Sequence, residues 1–144
     1  MPSTIGRLAG LVSAVGIAGC LHQGVRPSGP LSGCETGDRP MIRDSLYLGR
    51  NRPDGGQVHE QEWQAFLDAV VTPRFPEGLT ITSATGQWRG ANGKVESEAS
   101  SVVTLLHAGD AGARGKVAEI AQEYKRRFHQ EAVLRERSQV CATF

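Results

Sequence analysis

Six side chains stand out for the chemistry they could perform together: Tyr47, Arg50, Arg74, Trp88, Arg89 and Glu98. Guanidinium groups at strand and loop ends can grip a carboxylate or a phosphate through two parallel N–H bonds, and a tyrosine, a tryptophan and a glutamate on neighbouring strands would wall such a site. The set therefore reads as an anion pocket. It also reads as structure: Arg50, Arg74 and Glu98 would form ion pairs that fix loops, while Tyr47 and Trp88 pack a face between two copies of the chain. The structural use is the commoner one for residues of these types.

Other chemistries have less to stand on. His22, His59, His107 and His129 are scattered, and no two have the spacing of one helical face or of a short metal motif, so neither a metal site nor a cofactor is expected. His107 alone has the chemistry of a general base, but a single histidine at a strand end is more often hydrogen-bonded into the structure. No Gly-x-Ser-x-Gly occurs, and the glycine-rich stretch from Gly109 to Gly115 lacks the Lys-Ser/Thr end of a phosphate loop. No catalytic set of acid, base and nucleophile can be assembled. Lys125, Arg126 and Arg127 fall in the C-terminal half of a helix, where the macrodipole favours cations, so nucleic acid is not the expected partner.

The elements that must position these residues follow from the apolar periods. From Ile42 through Leu46 and Leu48 the apolar residues alternate, with Tyr47 on the opposite face, which is a half-buried strand stopped by Arg52-Pro53-Asp54-Gly55-Gly56. Trp63, Phe66, Leu67 and Val70 form one helical stripe that ends before Pro73 and Pro76. Two extended segments, Leu79 to Trp88 and Lys94 to His107, flank Gly90-Ala91-Asn92-Gly93, whose Asn-Gly suits a hairpin turn needing positive φ. After a break at Gly109 to Gly115, Val117, Ile120, Ala121, Tyr124 and Phe128 mark a second helix, and Ala132 to Phe144 alternates as a last strand. In that strand Val133, Arg135, Arg137, Gln139, Cys141 and Thr143 share one parity and make a mostly polar face. The order βαββαβ is that of an α+β, ferredoxin-like fold, with two helices on one face of a four-stranded antiparallel sheet. Its open face can be covered by a second copy, sheet against sheet, as in a dimeric α+β barrel, or by a ligand.

The start of the chain predicts an address. Arg7, an apolar run from Leu8 to Ile17, and Ala18-Gly19 before Cys20 form a signal peptide over residues 1–19, and the run is too short to span a bilayer. A cysteine just after such small residues resembles the lipobox of bacterial lipoproteins. That likeness implies lipid on Cys20 and an extracytoplasmic protein held on the membrane of the cell envelope, periplasmic or outer-membrane associated. Residues 20–40, rich in Gly, Pro and Ser, read as a flexible tether, and residues 41–144 as one domain. The chain has 16 Lys and Arg against 15 Asp and Glu; losing Arg7 with the signal leaves a neutral domain, so bulk charge points to no polyanionic partner. Cys34 and Cys141 remain, and the compartment permits a disulfide between them. A lone pair has no spacing rule, so two free thiols stay open as the alternative.

A family resemblance enters on Leu46-Tyr47-Leu48-Gly49-Arg50-Asn51, Trp63-Gln64-Ala65-Phe66, Pro73-Arg74-Phe75-Pro76, Gly78-Leu79-Thr80, Gly86-Gln87-Trp88-Arg89 and Tyr124-Lys125-Arg126-Arg127-Phe128. Together these segments resemble a bacterial family known only as a domain of unknown function, and the likeness covers nearly all of the chain after the tether. Where an Arg-Glu-Pro-Ser-like stretch would be expected, this chain has Ser97-Glu98-Ala99-Ser100. The resemblance implies fold and envelope location, and no activity. The expected function is a noncatalytic envelope module that binds a small anionic ligand or a partner protein. The alternative is a small enzyme of the dimeric α+β barrel type, with its pocket between helices and sheet.

Overall fold

The computed structural model of the chain describes residues 33–144. The expected signal peptide, Cys20 and the tether as far as residue 32 lie outside those residues. Strand β1 spans Arg39–Gly49, helix α1 Glu60–Phe66, β2 Thr80–Arg89, β3 Val95–His107, α2 Ala111–Phe128 and β4 Leu134–Ala142. The four strands form one antiparallel sheet in the order β2-β3-β1-β4, which with its two helices is the ferredoxin-like α+β fold expected from the periods. β1 begins at Arg39, inside the segment read as tether.

Alternation decides which side of the sheet the helices cover. Leu46 and Leu48 of β1 and Val103 and Leu105 of β3 are fully buried, and they meet Trp63 and Phe66 of α1 and Val117, Ile120, Tyr124 and Phe128 of α2. Phe66 and Tyr124 cross edge to face with ring centroids 5.1 Å apart, so aromatic packing fills the layer between helices and sheet. α1 opens with Glu62 accepting the His59 N–H at 3.0 Å. It continues into a π turn over Leu67–Val71, where the Thr72 N–H reaches back to the Leu67 carbonyl at 2.9 Å. The wider turn buries both Val70 and Val71, which consecutive positions of an α-helix would not do so easily.

Helix α2 differs from expectation at its start. It begins at Ala111 rather than beyond Gly115, because the Asp110 side chain caps it by accepting the Ala113 N–H at 2.9 Å. The cap and the buried stripe offset the roughly 1 kcal/mol that each helical glycine costs relative to alanine. The β2–β3 hairpin turns as predicted, with Gly93 at φ 78° and the Asn92 side chain accepting the Lys94 N–H at 2.8 Å. β2 is exposed along nearly its whole length, on both faces. Of the two readings open for Cys34 and Cys141, the structure has the disulfide, with the Cα atoms 5.5 Å apart.

Candidate functional site

The six residues singled out from the sequence do not share one cavity. Tyr47 lies on the open face of the sheet, where its hydroxyl donates to Glu136 at 2.9 Å; that bond, with the negative charge of Glu136, pushes the phenol pKa up. Arg50 turns the other way. It donates from Nε and Nη2 to the Val58 carbonyl at 3.1 and 2.9 Å and from Nη1 to the Ser101 hydroxyl at 3.2 Å, while its guanidinium lies 5.1 Å from the Trp63 ring centroid. Arg74 bridges the end of the first helix to Glu119 of α2. Arg89 donates to the Gly93 carbonyl at 2.7 Å and closes its own hairpin. All three arginines on which an anion pocket would depend are engaged by the chain's own acceptors.

Trp88 and Glu98 do come together. They line a groove of about 430 Å³ between the loop after β1, the tip of the β2–β3 hairpin and the end of α2, with Asn51, Arg52, Glu96, Gln130 and Glu131 around it. Gly49 makes room for the glutamate, since a Cβ there would stand 2.5 Å from a Glu98 carboxylate oxygen. The strand end is pinned from three sides. Glu98 accepts the Asn51 N–H at 3.3 Å, Tyr124 donates its hydroxyl to the Gly49 carbonyl at 2.7 Å, and Gln130 donates to the Asn51 carbonyl at 2.6 Å. Burial raises the Glu98 pKa and the neighbouring Glu96 adds to the rise, against the opposing Asn51 N–H. Arg52 donates to Glu62 at 2.6 Å, so the cation nearest the groove is already paired.

A second polar centre was not singled out from the sequence. Asp44 is fully buried on the helix side of β1, in the register of Leu46 and Leu48. Arg135 donates to it from Nε and Nη2 at 2.8 and 3.0 Å, and Arg137 does the same at 3.1 and 3.1 Å. The Gly109 N–H donates to His107 Nδ1 at 3.0 Å, which leaves Nε2 protonated and donating to Asp44 at 2.8 Å. Both nitrogens of His107 are thus taken up by structure, and the ring is no free base. Burial alone would raise the Asp44 pKa, but hydrogen bonds from the two arginines and the histidine outweigh it and hold the carboxyl far below its ordinary range. The signal for this centre was an acid in the core-facing register of β1, opposite two arginines of matching parity in β4.

Among the described residues, no group of three His, Cys, Asp or Glu side chains is placed to hold a metal ion, and no helix is long and apolar enough to cross a membrane. Comparison with solved structures gives a phage SAM lyase in complex with S-methyl-5'-thioadenosine, with a TM-score of 0.55 and 15% identity over 79% of this chain and 95% of the other. The apo lyase follows at 0.53 and 16%, covering 75% and 91% of the two chains. CutA from Synechococcus elongatus PCC7942 scores 0.42 at 17% identity, over 80% and 87%. The lyase likeness is one of fold. No curated protein matches the chain. Over residues 43–144 the sequence matches the family described as Protein of unknown function (DUF3574), and the chain belongs to that family.

Proposed function

We propose that this protein is a noncatalytic binding module of the bacterial cell envelope, held on the membrane by lipid on Cys20, and that its ligand lies in the groove against Trp88. The observation that carries the reading is the meeting of an exposed indole with Glu96, Glu98 and Glu131 in one groove, where the nearest cation, Arg52, is spent on Glu62. An aromatic face beside carboxylates selects a small organic cation, by ring quadrupole and by charge. The anionic ligand expected from the arginines is therefore not what this groove favours. The enzyme reading placed its pocket between helices and sheet, and that layer is filled by Trp63, Phe66, Tyr124 and Phe128. The Cys34–Cys141 disulfide supports an oxidising compartment outside the cytoplasm. The open face of the sheet, with Tyr47, Leu106 and Leu134 on it, is the surface offered to a second copy or a partner protein.

Trp63 is buried and Trp88 is exposed, so the two indoles report separately. A titration with small primary and quaternary amines should quench the exposed indole, raise the melting temperature, and lose both effects in Trp88→Ala. Equal responses in the wild type and the variant would overturn the groove reading. Steady turnover of any amine in the same assay would favour the enzyme instead. Cys20→Ser should leave the membrane fraction, and its retention there would sink the anchor. A monomeric mass by light scattering would rule out pairing through the sheet.

A further inference from the structure

We propose that Arg135 and Arg137, laid side by side on the buried Asp44 carboxylate, form a second site that takes a phosphate-class oxyanion. It goes beyond the groove and rests on different residues, so either can fail alone. Two guanidinium groups face one carboxylate, and His107, accepting the Gly109 N–H on Nδ1, adds no charge in the form that donates to Asp44. The centre therefore holds one uncompensated positive charge. Both arginines spend the same edge, Nε and Nη2, on Asp44. Their Nη1 groups have no acceptor among the described residues, and a guanidinium carries five N–H donors in a rigid fork.

The donors are also fixed in advance. Residues 135 and 137 are two apart on one strand, so they project from the same face roughly 7 Å apart along it, and Asp44, itself pinned in the β1–β4 ladder, locks both forks. Their side chains are 28% and 38% exposed against 0% for the aspartate, so the occupied edge points inward and the outer edge reaches solvent. An anion arriving there meets oriented donors that need not be reorganised, with a net positive charge beside a low-dielectric core. A tie between the edge strand and β1 would need only enough cation to neutralise Asp44. The second arginine is the surplus, and an oxyanion is what it fits. A phosphate can come free in solution or as the headgroup of a membrane lipid, and both present the same oxygens.

The test is a titration of the full-length chain followed by the arginine Nε–Hε resonances, with chloride used to hold ionic strength constant. Inorganic phosphate should shift the Arg135 and Arg137 signals saturably while those of exposed Arg43 and Arg89 stay put, and should raise the melting temperature. Arg137→Lys keeps a cation near Asp44 but loses the fork, so phosphate affinity should fall about tenfold, the worth of one charge-assisted bond. Vesicles containing phosphatidylglycerol, set against phosphatidylcholine, separate the sources: a response to these vesicles alone assigns the site to a lipid headgroup. Wild-type resonances unmoved by either probe overturn the proposal, as do equal shifts in all four arginines.

Discussion

At Glu98 a carboxylate sits where burial and Glu96 both oppose its charge, and the pH dependence of stability should carry that mark. A carboxyl whose pKa is raised on folding costs nothing below its unfolded value, and the penalty grows as pH rises through the folded value. Glu98→Gln removes the charge and keeps an oxygen to accept the Asn51 N–H. We therefore predict a higher melting temperature than wild type at pH 7, with the gain gone by about pH 4, where the unfolded glutamate is itself half protonated. A variant that is no more stable than wild type at pH 7, or equally improved at both pH values, would contradict this. Glu98 and Trp88 were legible as candidates because rare polar and aromatic types on paired strands attract notice. Asp44 was passed over inside an apolar alternation that it interrupts, and its partners could not be named, because the register that sets Asp44 opposite Arg137 joins segments more than ninety residues apart. A buried acid can be inferred from one strand, but its counter-charge needs the pairing.

The elements themselves were legible because their periods are strong: period two in β1 and β3, an Asn-Gly turn, and two clean apolar stripes. What failed were boundaries, and the physics of the one at α2 is in the glycines on either side of its start. Gly109 has φ 78°, and a Cβ there would meet Ile42 Cγ1 at 2.5 Å, while its N–H holds His107. Gly115, four residues after the first helical one, has open space around it. The two should respond in opposite directions. Gly109→Ala forces an L side chain into the left-handed region and against Ile42, a loss of about 2–3 kcal/mol. Gly115→Ala removes a flexible residue from an exposed helix interior, a gain of about 0.5–1 kcal/mol. Urea unfolding of both variants reads the contrast. A destabilised Gly115→Ala would mean that the first turns of α2 are not helical in solution and that the glycine-rich stretch is the break its composition suggested. The π turn was not legible, because Trp63, Phe66, Leu67 and Val70 lie on one stripe whether or not the helix widens after Phe66.

For the whole molecule, the consequential link is the one that closes the chain on itself. Cys34 and Cys141 are 107 residues apart, so the bridge makes a ring of nearly the entire folded domain. Constraining an unfolded loop of that length is worth about 4–5 kcal/mol in the chain-entropy account, which is comparable to the whole stability of a small domain. The bridge also sits where the sheet is thinnest. Arg39, Pro40 and Met41 pair with β4 alone, since the β1–β3 ladder begins at Ile42, and Pro40 lies opposite Cys141 itself. A pull on the chain before Cys34 is then borne by a covalent bond to β4, not by the last hydrogen bonds of a two-stranded end. Two effects of reduction should therefore separate. Amide exchange at Met41, Val140 and Ala142 should quicken first, while Leu46 and Val103 in the four-stranded centre, and Leu48 beside them, stay protected. Global stability of the Cys34→Ser, Cys141→Ser double variant should fall by about 3–5 kcal/mol in urea unfolding, with the native fold retained at low denaturant. A loss under about 1 kcal/mol would mean that the unfolded chain already holds its ends together, leaving the bridge only the local task of sealing β4 to β1.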